Sequence, residues 1–313
     1  MNTTEQYIFE QHMKNVNTKW ENFSREIQDL QTPDTFSMLY ATDVHYIRNY
    51  ALYVPAYYKV REMVEFSKYV GVDLLALTGD IVDGNTTIES QRRDLYDIIS
   101  LVREAKTSSI VISNELLDAR PFERFVFQNG KWHKAFIQIS AEDDAFLAAE
   151  ILQAPLANEI AHIEKYFYPA SVEGFRLDIS FDALHLFEEI CKKAKGGILI
   201  FADYFRTADE ICHLPYGTAR TYLKHTDTAD FFIDATDCDI THSPCCDPLL
   251  DIAKKYFSNA TELPQEKFFL SNAENIIREI TLDRNPFSAR KRELAQLLSP
   301  VFMGAAFRIL FAF

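Results

Sequence analysis

Polar side chains gather at the ends of apolar runs along this chain. Asp43 and His45 follow Phe36–Thr42, Asp80 follows Val72–Thr78, and Asn114, Glu115 and Asp118 follow Ile110–Ile112. Asp203 and Tyr204 close the most apolar run, Ile198–Ala202. In open α/β sheets ligands sit beyond the carboxyl ends of strands, so these are the places where chemistry is expected. Two kinds are offered. Asp43 and His45, two apart, with Asp80 leaving a neighbouring strand, suit borderline divalent ions such as Mn²⁺, Fe or Zn²⁺, with Asn114 as a further ligand. A pair of such ions about 3.5–4 Å apart would acidify a bridging water and clamp a phosphoryl group. The later set is different in kind: Glu115 is suited to gripping a guanidinium bidentately, and Asp118, Asp203 and Tyr204 leave strands at the same edge. Arg220 and His225 belong to a polar cluster that could close over it.

The elements needed to position these groups alternate along the chain. Apolar residues at helical spacing over 3–31 (among them Trp20, Phe23, Ile27 and Leu30) predict a docking helix, ended by Pro33 and Asp34. Strand Phe36–Thr42, a helix around Lys59–Tyr69, strand Val72–Thr78, helix Gln91–Ala105 and a short buried strand at Ser109–Ile112 make βαβαβ. Strand Glu123–Phe127, a turn at Asn129-Gly130 and a strand with Trp132 and Phe136 read as a hairpin. A helical insertion over 141–168, strand Gly174–Ser180, helix Phe181–Lys195 and a terminal strand within Val301–Phe313 complete the expectation. The fold class is α/β, a mostly parallel sheet flanked by helices.

D-x-H at Asp43–His45 followed by G-D-x-x-D-G at Gly79–Gly84 resembles the N-terminal part of the calcineurin-like metallophosphoesterases. The resemblance implies that Asp43, His45, Asp80 and Asn114 are metal ligands acting on a phosphate ester. That family also requires G-N-H-[DE] and a final G-H-x-H; here the third strand is followed by Ser113-Asn114-Glu115 and no H-x-H occurs. The remaining histidines, His162 and His242 included, are scattered singly and read as surface or satisfied core residues.

From residue 108 onward the order N-E-L-L-D-A (114–119), G-x-L-L-I-x-D-Y-like 197–204, G-T-x-R-x-Y-x-x-H (217–225), C-D-I-T-H (238–242, set against D-[IL]-T-x-H in the family) and M-G-x-x-F-R-x-L (303–310) resembles the MidA-type S-adenosylmethionine-dependent methyltransferases. That group includes an arginine methyltransferase used in assembling mitochondrial complex I. The resemblance implies a Rossmann-like fold, S-adenosylmethionine as cofactor, a protein substrate presenting arginine, and a site drawn from Asn114, Glu115, Asp118, Asp203, Tyr204, Arg220 and His225. It also implies a glycine-rich turn after the first strand. The chain departs there: nine glycines in all, and none of the E-x-G-x-G-x-G pattern before Ser108. The two texts meet at Asn114, giving a chimera-like division into an N-terminal helix (1–33), a phosphoesterase-like segment (34–107) and a methyltransferase-like segment (108–313).

Composition limits the alternatives. A formal charge of −14 argues against non-specific nucleic-acid binding, which needs clustered cations. Cys191, Cys212, Cys238, Cys245 and Cys246 form no CxxC pair, so reduced thiols in a cytoplasmic protein are expected. The N-terminus lacks a basic, apolar signal pattern and no run is long enough to span a membrane.

Overall fold

The computed structural model describes residues 20–21, 24–25, 27–33, 37–42, 54–78, 88–103, 110–142, 145–170, 172–223, 226–228, 239–285, 288–301 and 303–313. The metal-ligand candidates Asp43, His45 and Asp80, and the site candidate His225, lie outside them. The chain divides into two compact units, 1–111 with 190–198, and 112–189 with 199–313.

The first unit is built on a parallel pair, β1 (Met38–Thr42) and β2 (Leu74–Thr78), in register Met38 to Leu74. Helices α1 (Val54–Val70) and α2 (Ile88–Arg103) follow each strand. Val64 of α1 and Leu75 of β2 bury each other with Leu39 and Met63 around them. The described residues between 20 and 30 are helical, and Trp20 meets Phe66 edge-on at 5.1 Å, the packing the periodicity predicts. Gly71 stops α1 in the left-handed region at φ 73, its N–H donating to the Ser67 carbonyl.

The second unit carries two larger sheets. One runs β12 (Ala260–Pro264), β13 (Arg308–Ala312), β8 (Ile198–Asp203), β3 (Ile110–Asn114); β13 is antiparallel to both neighbours. The other is antiparallel throughout, in the order β6 (Ala145–Gln153), β5 (Lys131–Glu142), β4 (Glu123–Gln128), β7 (Arg176–Ile179). A small antiparallel set, β10 (Thr226–Thr228), β9 (Arg220–Leu223) and β11 (Asp239–Thr241), completes the strands. Helices α3 (Ala157–Tyr166), α4 (Phe181–Ala194), α5 (Ala208–Cys212) and α6 (Cys246–Ala253) lie among them, and α7 (Gln265–Asn272), α8 (Glu274–Leu282), α9 (Ala289–Leu298) and the short α10 (Met303–Ala306) precede β13. Phe125, Ile163, Phe167, Phe175, Leu177, Ile179 and Ile211 form one core.

The class is α/β with sheets flanked by helices, as expected. Two local expectations need correction. Residues 141–142 and 145–153 are strand rather than helix: β5 and β6 pair over nine positions from Lys134–Gln153 to Glu142–Ala145, and among the described residues of this stretch helix is confined to Ala157–Tyr166. Cross-strand pairing overrides the helical preference of this Ala-, Glu- and Leu-rich stretch. β3 is not a buried strand. It ends the sheet order beside β8, and Ile112 is 57% exposed.

Candidate functional site

The turn after β3 is held by a carboxylate at the end of β8. Asp203, itself buried, accepts from the backbone N–H of Leu117 at 2.9 Å and Asp118 at 3.3 Å through one oxygen, and from the Tyr204 N–H at 2.8 Å through the other. Leu117 is wholly buried beneath the turn, and the Glu115 N–H donates to the Ala202 carbonyl at 3.0 Å. Glu115 adopts φ 50, a left-handed conformation that costs a side-chain-bearing residue on the order of 1–2 kcal/mol. Such strain persists only where its surroundings impose it, and here three hydrogen bonds from the turn's own N–H groups do. The Glu115 side chain is exposed, with Asn114 Nδ2 donating to its Oε1 at 2.9 Å. The result is a carboxylate presented to solvent on a rigid turn at a strand end.

Behind it sit two buried carboxyl groups. Burial raises Asp203 to about 7, helped by the neighbouring Asp118 carboxylate. Burial also raises Asp118 to about 6, with Glu115 adding to the effect and Arg220 opposing it. Like charges in a dry site do not both ionise, so the pair retains a proton near neutrality.

Tyr204 lies between two partners: the Phe307 ring at 4.4 Å and the Arg220 guanidinium at 4.9 Å from its own ring. Phe307 belongs to the terminal M-G-x-x-F-R stretch, whose Arg308 pairs with Glu262 and with Glu210. The structure thus brings together Asn114, Glu115, Asp118, Asp203, Tyr204 and Arg220.

The G-T-x-R stretch has a role that its sequence does not announce. Asp178 of β7, with a fully buried side chain, accepts from Arg124 Nε at 2.7 Å and Nη2 at 3.1 Å. Its Oδ2 also accepts from the Thr218 and Ala219 N–H groups, both at 2.7 Å. Gly217 permits this approach: at φ 81, a Cβ there would lie 2.4 Å from Asp178 Oδ2. Gly217→Ala should therefore combine left-handed strain with overpacking and cost about 2–4 kcal/mol in urea unfolding. A loss below about 0.5 kcal/mol would show that the loop is not locked onto Asp178.

A residue outside the expected site set completes it. His242 is fully buried, and both its backbone N–H (3.1 Å) and its Nδ1 (2.8 Å) donate to the Asp118 carbonyl. Its sequence signal is the stretch Asp239-Ile240-Thr241-His242 alone. As for metal, among the described residues no group of three His, Cys, Asp or Glu could hold an ion, and Asn114 is turned to Glu115. The phosphoesterase-like metal site finds no support there.

Comparison with known proteins gives a consistent picture. Residues 86–262 match the profile of a family described as "Putative S-adenosyl-L-methionine-dependent methyltransferase". No curated protein matches the chain. A COG1565 superfamily member from Burkholderia thailandensis, solved bound to S-adenosyl-homocysteine, shares its fold at TM-score 0.59 and 17% identity, covering 93% of this chain and 73% of its own. A native structure of a COG1565 superfamily protein from the same organism gives TM-score 0.59 and 16% identity, covering 94% and 78%. With that coverage, most of the segment read as phosphoesterase-like aligns with these structures too.

A nucleoside cofactor in such folds rests on a glycine-bearing turn after the first strand. Among the described residues none fits that cradle. β1 is followed by no glycine before Gly71, and Gly71 is occupied in capping α1. Gly130 lies in the β4–β5 turn, Gly196 follows α4, and Gly217 is folded on Asp178. Gly79 and Asp80 lie outside the described residues. Among the described residues no helix is long and apolar enough to cross a membrane.

Proposed function

Because the chain belongs to the family of S-adenosyl-L-methionine-dependent methyltransferases, we propose that it acts in methyl transfer to a guanidinium, the acceptor being arginine presented by a protein. The observation that carries this is the exposed Glu115 carboxylate at φ 50, on a turn fixed by Asp203. Methyl transfer asks little covalent help from a protein; it asks that the acceptor be oriented in one pose. A planar, two-oxygen acceptor fits a guanidinium in a bidentate pair more tightly than the point charge of lysine. Asn114 holds one Glu115 oxygen by hydrogen bond and so limits the rotation of the carboxylate.

Asp118 and Asp203, buried behind the turn, retain a proton between them near neutrality. Arg220 stacks on Tyr204 and moderates the negative field at Asp118. No step is assigned to the methyl donor, whose usual glycine cradle this chain lacks.

Glu115→Gln tests the reading by calorimetry with an arginine-bearing peptide. Loss of a charge-assisted bidentate pair, about 1.5–3 kcal/mol, should weaken binding roughly 10- to 100-fold. The melting temperature should change little, since the side chain is exposed. Transfer of labelled methyl from S-adenosylmethionine to the peptide is scored separately. Equal peptide affinity in the two proteins would sink the acceptor assignment.

A further inference from the structure

We propose that His242 is the positioning residue of the acceptor turn, acting through the carbonyl of Asp118. This rests on the reading of Asn114–Asp118 as the place where the guanidinium is held.

The turn is gripped from two directions. Its N–H groups at Leu117 and Asp118 point to Asp203, and its Asp118 carbonyl points to His242, reached across 124 positions of sequence. Two donors from one residue converge on that single oxygen, the backbone N–H and Nδ1. A flexible loop could make one of these bonds; making both fixes the loop and the ring together. The ring is further set by Phe122, whose centroid lies 5.2 Å away at an interplanar angle of 32°. Phe122 itself sits just past the turn, before β4. His242 therefore clasps the turn at its carbonyl and again at the chain that leaves it.

Donation from Nδ1 also decides the tautomer. The proton is on Nδ1 and Nε2 carries a lone pair. Burial keeps the ring neutral, holding its pKa down to about 4. His242 lines a cavity of about 20 Å³ together with His162, Asp178 and Cys245, and its Nε2 makes no hydrogen bond to any described residue. All the hydrogen bonding that the ring shows is thus directed at Asp118. A residue whose contribution were only apolar filling would not need that donor.

The proposal predicts a split between variants that keep the donor and variants that keep only the shape. Asn places an amide N–H where Nδ1 stands; Phe keeps the ring against Phe122 without a donor; Gln places its donor nearer the position of Nε2. Amide hydrogen exchange at Leu117 and Asp118 is measured in wild type, His242→Asn, His242→Phe and His242→Gln, with Leu199 and Phe201 of β8 as internal references. Calorimetry with the arginine-bearing peptide runs in parallel. Exchange at the two turn amides should accelerate at least tenfold in His242→Phe and His242→Gln, with the β8 amides unchanged, and stay within about threefold of wild type in His242→Asn. Peptide affinity should fall at least fivefold in the first two and be retained in the third. Wild-type exchange in the Phe variant, or equal loosening in Asn and Gln, would overturn the proposal. Should the Phe variant not fold, the Asn–Gln comparison decides alone. If the wild type binds no arginine peptide, the acceptor reading fails, while the exchange data still judge His242.

Discussion

Asp178→Ala should destabilise the protein by about 3–5 kcal/mol, because it strips a buried partner from a largely buried guanidinium. Arg124 is 15% exposed and Asp178 not at all, so the charge left behind cannot find water without opening the β4–β7 pair. The same carboxylate oxygen also takes the Thr218 and Ala219 N–H groups, so the loop before β9 loses its anchor too. A double-mutant cycle makes the point quantitative. If the Arg124 charge is what suffers, Arg124→Leu added to Asp178→Ala should recover a good part of the loss, since removing both members of a buried pair costs less than removing one. Additive losses in urea melts would place the whole cost in the Thr218–Ala219 loop instead. Either member of the cycle with a loss below about 1 kcal/mol would refute the burial argument itself.

Asp178 also shows where sequence reading stops. Its partners are 54, 40 and 41 positions away, and a lone Asp in a short strand carries no local mark of that. Gly217–His225 stands out as a motif, and its Arg220, Tyr222 and His225 are the polar cluster expected over the site. Only Arg220 reaches the site residues, while the glycine and the two following N–H groups serve Asp178. The strand-end turn was legible for a simple reason: an apolar run that breaks into Asn, Glu and Asp has few other places to put those side chains. The β5–β6 hairpin was not, because Ala, Glu and Leu favour helix locally and only the partner strand decides otherwise. His242 read as a satisfied core histidine, which it is at Nδ1; its importance comes from what it satisfies.

The family profile begins at residue 86, and the glycine turn expected of the family would have to lie earlier. The two features fall on opposite sides of the same boundary: the turn after β3 has its strain, its carboxylate clamp and its histidine, while no E-x-G-x-G-x-G pattern precedes Ser108. Separate assays of peptide binding and methyl transfer are therefore informative in a way that one activity measurement is not.

Asp203→Asn is expected to flatten the pH response of stability. In the folded protein burial and Asp118 lift Asp203 to about 7, above the 3.8 of an exposed aspartate. Below about pH 3.8 both states are protonated at this group and it adds no slope. As pH rises from there, the unfolded chain releases a proton that the folded chain keeps, so stability falls by at most about 1.4 kcal/mol per pH unit until the folded group ionises near 7. Asparagine never ionises and removes this slope. It has its own cost, however. Its oxygen can still accept from Leu117 and Asp118, but its NH₂ then faces the Tyr204 N–H that Asp203 now accepts, a mismatch of about 1–3 kcal/mol at every pH. The variant should thus be the less stable protein at pH 5 and close on or overtake the wild type by pH 8, as read from urea midpoints across that range. A gap between the two proteins that stays constant from pH 5 to 8 would mean that Asp203 is already ionised in the folded state, and the proton retained behind the turn would have to be given up.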